Sequence, residues 1–304
     1  MKTNSAEIIK TMRKEMGLSQ AEMAEQLFIS VRQLARIESG EAGMDVWQFI
    51  TTLELLGAPT EDFWLLYLDS GEYASYRDYK HLKRQINSDD WSKVEEVIRI
   101  IEKAPLIKQP IVKQYVAYAK VAVEMPTPPS AESVDNLLKV MHMSKPNFDE
   151  SKISEYRMTN NEISIALSIA NCFVTLGEYD RAIKMVKAMI NSRENARVSE
   201  EDKINIFPAL YLVLSSAYWN GGQYKEALYT CQAAIDTCRE YSNLERIPEM
   251  LFCMADCYYK LGEEEHIYKT HLIRAYHMAY AIGKNKTAVT LKENALKSYG
   301  VSLP

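Results

Sequence analysis

The chain has 304 residues, 47% apolar and 25% charged, with a net charge of −5 and a pI near 5.7, which excludes nucleic-acid binding by bulk attraction. No apolar run reaches membrane-spanning length and no secretory leader pattern opens the chain, so a cytoplasmic protein is expected. With only 11 Gly and 10 Pro to break it, the chain is expected to be all-α and to hold about two domains.

In chain order, residues 5–16 read as a helix with Ile8, Ile9 and Met12 inward and Lys10, Arg13 and Lys14 outward. Two short helices follow around a tight turn. Ser19 and Ser30 each precede a helix-forming run, where a hydroxyl accepts from orphan backbone N–H groups. Ala24, Leu27, Leu34 and Ile37 fall where these two helices cross, which leaves Arg32, Gln33 and Arg36 on the outer face of the second. An α-helix fits the major groove, Arg bonds bidentately to guanine and Gln to adenine, so this face has the chemistry of base reading. Ser19, Gln20 and Ser30 stand at helix N-termini, where phosphate oxygens are met.

The run Leu18-Ser19-Gln20, Ala24, Leu27, Ser30, Leu34, Arg36-Ile37-Glu38 and Gly40 resembles the helix-turn-helix of the Cro/C1-type (XRE) repressor family. It departs from that family at Phe28, where the turn usually has Gly to tolerate positive φ, so Phe28 must take the strain or reshape the turn. In residues 1–66 six Lys and Arg stand against ten Asp and Glu, so phosphate contact must come from a local patch of Lys10, Arg13, Lys14, Arg32 and Arg36. Weak non-specific binding and a need for dimerisation follow.

Residues 44–56 read as a fourth helix, Gly57-Ala58-Pro59 ends it, and a short fifth helix carries Phe63, Trp64 and Leu66. Residues 1–66 therefore form one domain. Residues 65–79 are aromatic-rich and predict a short, stiff connection to the second domain, residues 67–304.

From about Tyr76 a pattern repeats. Gly177-Glu178-Tyr179-Asp180-Arg181-Ala182 and Gly222-Gln223-Tyr224-Lys225-Glu226-Ala227 share Gly-x-Tyr-x-x-Ala with glycines 45 residues apart, and Gly262 follows 40 residues on. These residues resemble the tetratricopeptide repeat, in which Gly opens the inter-helix turn, Tyr wedges into the groove and a small residue lets helices touch. A weaker version surrounds Asp89-Asp90-Trp91, with Val94 for Ala, and another pair at 110–124 and 130–143 is joined by Met125-Pro126-Thr127-Pro128-Pro129. Five hairpins and a closing helix at 287–299 are expected, wound as a right-handed superhelix.

Such an array lines its concave side with the first helix of each pair, a groove suited to a peptide. The repeat register places Leu167, Asn171, Val174 and Thr175 there, then Leu212, Ser216, Trp219 and Asn220, then Phe252, Asp256, Tyr259 and Lys260, with Tyr79, Lys83 and Asn87 at the other end. Asn171 and Asn220 are the candidate clamps for a peptide backbone, Trp219, Phe252 and Tyr259 the apolar anchors, and Lys83 or Lys260 the holder of a terminal carboxylate.

The two halves together resemble the RRNPP family of Gram-positive quorum-sensing receptors. That resemblance implies a homodimeric transcription factor whose repeats bind a short imported signalling peptide and shift its affinity for promoter DNA. Val31-Arg32-Gln33-Leu34 with Arg36-Ile37-Glu38 is similar to the competence-regulator branch. The competing reading is a DNA-binding regulator whose repeats dock another protein, with no peptide; a groove of Lys and Glu would favour it over one of Asn and aromatics.

No catalysis, cofactor or metal is expected. The five His are scattered, His266 and His271 miss the i, i+4 spacing of a zinc helix, and no Gly-rich phosphate loop or nucleophile elbow is present. The five Cys, at 172, 231, 238, 253 and 257, lie in apolar helical stretches and read as buried thiols.

Overall fold

Ser19, Ser30 and Thr159 each cap the helix that follows with a side-chain oxygen, and several helices run into a left-handed residue such as Gly177, Gly222 or Gly262. The computed structural model describes residues 2–44, 52, 70–87, 93–192 and 200–304, which divide into two compact units, Met1–Lys113 and Gln114–Pro304. Of the expected helix over 44–56 only residues 44 and 52 are described, the latter helical; the expected helix carrying Phe63, Trp64 and Leu66, the boundary at 66/67 and the turn at Asp89-Asp90-Trp91 lie outside the described residues.

The first unit opens with α1 (Lys2–Glu15), α2 (Gln20–Gln26) and α3 (Val31–Glu38). Ile9, Met23, Ala24, Leu34 and Ile37 form its core, closed by Met12, Leu27 and Ile29. Burying five such side chains is what fixes three helices too short to persist alone. The later part of the expected connection, from Ser70 on, is the start of α4 (Ser70–Asn87), which packs on α5 (Val94–Lys103) with Leu82, Val94 and Ile101 fully buried.

The division falls within α6 (Pro110–Glu124), and the second unit continues through α7 (Ala131–His142), α8 (Asn160–Thr175), α9 (Tyr179–Asn191), α10 (Glu200–Asn220), α11 (Tyr224–Glu240), α12 (Ile247–Lys260) and α13 (Glu265–Ala281) to α14 (Asn285–Tyr299). The fold is all-α, with no strand among the described residues. The helices of α4/α5, α8/α9, α10/α11 and α12/α13 pack as the expected hairpins, α6 meets α7 where the Gln114 amide donates to the Val140 carbonyl at 3.3 Å, and α14 starts two residues before the predicted 287.

The repeated motif does what its residue types allow. Gly177 and Gly222 take φ of +81° and +73°, and the N–H of the next residue returns to a carbonyl of the preceding helix, Glu178 to Phe173 and Gln223 to Tyr218, each at 2.8 Å. Ala182 and Ala227 are fully buried, and the Tyr179 ring lies beside Gly221 in the next hairpin's turn. First helices also pack on one another: α10 touches both α8 and α12. That places α8, α10 and α12 side by side on one face.

Candidate functional site

The reading helix α3 is set by its caps. Ser30 accepts from the Gln33 N–H at 3.1 Å, and Ser19 accepts from the Glu22 N–H at 3.1 Å while its own N–H donates to the Glu22 carboxylate at 2.7 Å. Those bonds hold the Glu22 carboxyl below its usual range. Arg32, Gln33 and Arg36 are all exposed, and among the described residues the Arg36 guanidinium is engaged by a 3.8 Å approach to Glu41 alone. Phe28 takes the strain: it adopts φ +54° in the turn between α2 and α3, with its ring 96% exposed.

Two expected phosphate contacts are corrected here. Arg13 is buried, its guanidinium bonded to both Glu38 oxygens at 2.5 and 3.0 Å and to the Leu18 carbonyl at 2.6 Å, so it braces α1 against α3 and faces no solvent. The Gln20 amide likewise donates to Glu38 at 2.7 Å. The missed signal is spacing: Arg13 is i+4 from Ile9, which points inward. Burial pushes the Glu38 carboxyl up, but the Arg13 and Gln20 hydrogen bonds outweigh it and hold the group below its ordinary 4.5. Lys10 and Lys14 remain exposed.

In the second unit the expected groove residues fall into three groups. Asn171 and Tyr259 are exposed, and Leu167, Ser216 and Trp219 are half-buried on the shared face of α8, α10 and α12. Val174 is 7% exposed, half-buried Leu212 packs on the core around Cys231 and Met250, and half-buried Phe252 packs on Ala255 and Leu272, so all three contribute to packing between helices. Asn220 is exposed, but its amide donates to the Ser216 carbonyl at 2.8 Å, one turn back on its own helix. In the first unit α4 carries Lys83, which is half-buried, and Asn87, while Tyr79 is buried.

Asp256 is the least exposed polar member of this set, at 8%. The Trp219 indole N–H donates to one of its oxygens and the Tyr299 hydroxyl to the other, from α10 and α14 on either side. Burial and the bond to Asp256 raise the Tyr299 hydroxyl well above its ordinary value. Tyr299 was not foreseen, nor were Tyr268 and Tyr118. Tyr299 and Tyr268 stack with Tyr259 at ring-centroid distances of 5.0 and 5.4 Å from it, and the Tyr118 hydroxyl meets Ser168 at 3.0 Å. Only the position of α14 as one more first helix could have pointed to Tyr299.

A cavity of about 790 Å³ opens elsewhere, between α11 and α13 over the back of α12, with Ile235, Leu251, Met254 and Met278 against Arg239 and Arg274. No expected groove residue lines it. The five thiols are free; four are buried and Cys253 is half-buried. Among the described residues no His, Cys, Asp or Glu cluster fits a metal ion, and no helix is long and apolar enough to cross a membrane.

The architecture is thus a helix-turn-helix followed by stacked helical hairpins, and residues 9–44 match the helix-turn-helix family model HTH_3. The chain shares its fold with Bacillus thuringiensis PlcR, solved in complex with the peptide PapR7 and DNA, at 16% identity and a TM-score of 0.69, covering 95% of this chain and 99% of that one. ComR from S. thermophilus, in complex with DNA and its signalling peptide ComS, matches at 14% identity and TM-score 0.53, over 96% and 99% of the two chains. The Streptococcus dysgalactiae SHP pheromone receptor Rgg2 matches at 15% and 0.51, with the same coverage. No curated protein matches the sequence.

Proposed function

We propose that the chain is a cytoplasmic transcriptional regulator, not an enzyme, that binds promoter DNA as a homodimer through α3. Its repeat domain, residues 67–304, binds a short signalling peptide on the face of its first helices, and the peptide controls affinity for DNA. The carrying observation is the exposed Arg32, Gln33 and Arg36 on a helix fixed by a serine cap and a buried ion pair, in a chain whose other unit is a hairpin array. A helix so held presents donors to base edges without first having to order itself. Ser19, Ser30 and Lys14 are assigned to phosphates.

The shared fold supports the peptide half of this reading, because PlcR and ComR were each solved with both a peptide and DNA. The character of the face supports it too. Asn171, Trp219 and Tyr259 offer amide and aromatic chemistry where Lys and Glu would favour docking of a folded protein.

The test is fluorescence anisotropy of the full chain on its own upstream DNA. Arg36→Ala is expected to weaken specific binding by about 1–3 kcal/mol with helicity unchanged. Wild-type affinity in that variant overturns the assignment of α3.

A further inference from the structure

We propose that Asp256 makes the groove selective for a ligand bearing a cationic group, an amine or a guanidinium, set among apolar side chains. This rests on the reading that the face of α8, α10 and α12 binds a peptide.

Both groups that meet Asp256, the Trp219 indole and the Tyr299 hydroxyl, are neutral donors, one on each oxygen. A carboxylate has about four acceptor sites, so roughly half of its capacity is left. Among the described residues no Lys, Arg or His forms an ion pair with it; Lys260, one turn further along α12, is exposed and unpaired with it. A buried charge met by neutral donors alone pays its desolvation without a countercharge, and an arriving cation supplies what is missing.

The surroundings suit such a cation. Phe252, Asp256 and Tyr259 follow at i, i+4 and i+7 on α12, so the carboxylate sits within one aromatic stripe. Tyr259 is 43% exposed and is held edge-on by Tyr268 and Tyr299, at interplanar angles of 83° and 84°. A cation over an aromatic face and beside a carboxylate gains from both.

The competing explanation is that Asp256 only ties α10, α12 and α14 together. The full-length chain is incubated with a degenerate library of apolar heptapeptides in which one position is Arg, norleucine or Glu and the N-terminus is free or acetylated. Bound peptides are recovered by gel filtration and read by mass spectrometry. Members with Arg or a free amine are expected to be enriched about tenfold over acetylated norleucine members. Asp256→Asn should erase that preference while Tyr299→Phe, which keeps the carboxylate, preserves it. Peptides retained by the wild type without a preference for a cation overturn this inference alone, whether or not Asp256→Asn folds. So does an unchanged preference in a folded Asp256→Asn. No retained peptide overturns the groove reading and this inference together.

Discussion

Among the described residues three carboxylates are buried, Glu38 in the first unit and Glu162 and Asp256 in the second, and Glu38 and Asp256 are met differently. Glu38 receives a guanidinium on both oxygens and a Gln amide besides, whereas Asp256 receives an indole and a phenol. The first is closed in charge, the second left open. Burial of an acid therefore does not by itself separate scaffold from site; what meets it does. In the first unit the buried pair leaves the neighbouring face of α3 exposed, and in the second the carboxylate has no countercharge among the described residues.

The largest expected effect breaks the closed member. Arg13→Ala leaves Glu38 buried and uncompensated and should cost about 3–5 kcal/mol, read as the helix-turn-helix transition in chemical denaturation. A loss below about 1 kcal/mol, the range of surface ion pairs, contradicts the burial described for Arg13. The same pair sets an acid limit. The folded carboxyl of Glu38 lies below its ordinary 4.5, so its contribution is complete above that pH and is lost as pH falls through the lower folded value. The acid side of the stability profile should flatten in Glu38→Gln; an unchanged profile would place the acid sensitivity elsewhere.

A smaller effect, of opposite sign, sharpens the contrast between the turns of the two units. The array turns on Gly177 and Gly222, the helix-turn-helix on Phe28 at φ +54°. Phe28→Gly should raise thermal stability by about 1 kcal/mol, the left-handed strain less the entropy Gly loses on folding. A drop would mean that the ring has a folded partner. The smallest expected effect is none: Arg274→Glu, in the cavity between α11 and α13, should leave peptide response at the wild-type level. A shifted response curve moves the site to that face.

Much of this was legible because it is local. Caps lie within three residues of what they cap, so Ser19 and Ser30 could be read directly, and Gly-x-Tyr-x-x-Ala fixed the register of the hairpins. Arg13 was misread because charge was allowed to override a spacing that placed it beneath Ile9. Asp256 is met from α10 and α14, but these partners lie 37 and 43 residues away along the chain, and no periodicity predicts which side chains converge across three helices. Val174 and Phe252 show the same limit: helical phase gives the face, and the neighbouring helix decides the depth.

The fate of the five sulfurs decides how this molecule can be probed. Cys172 and Cys238 are buried and pushed up to about 11, so both stay protonated and sluggish toward maleimides at neutral pH. Cys231 and Cys257 have no surface to offer, and half-buried Cys253 is driven upward by its neighbours. A cysteine introduced at Arg32 would outpace all of them, so a spin label there could report whether two reading helices come together, without stripping the native thiols from the core.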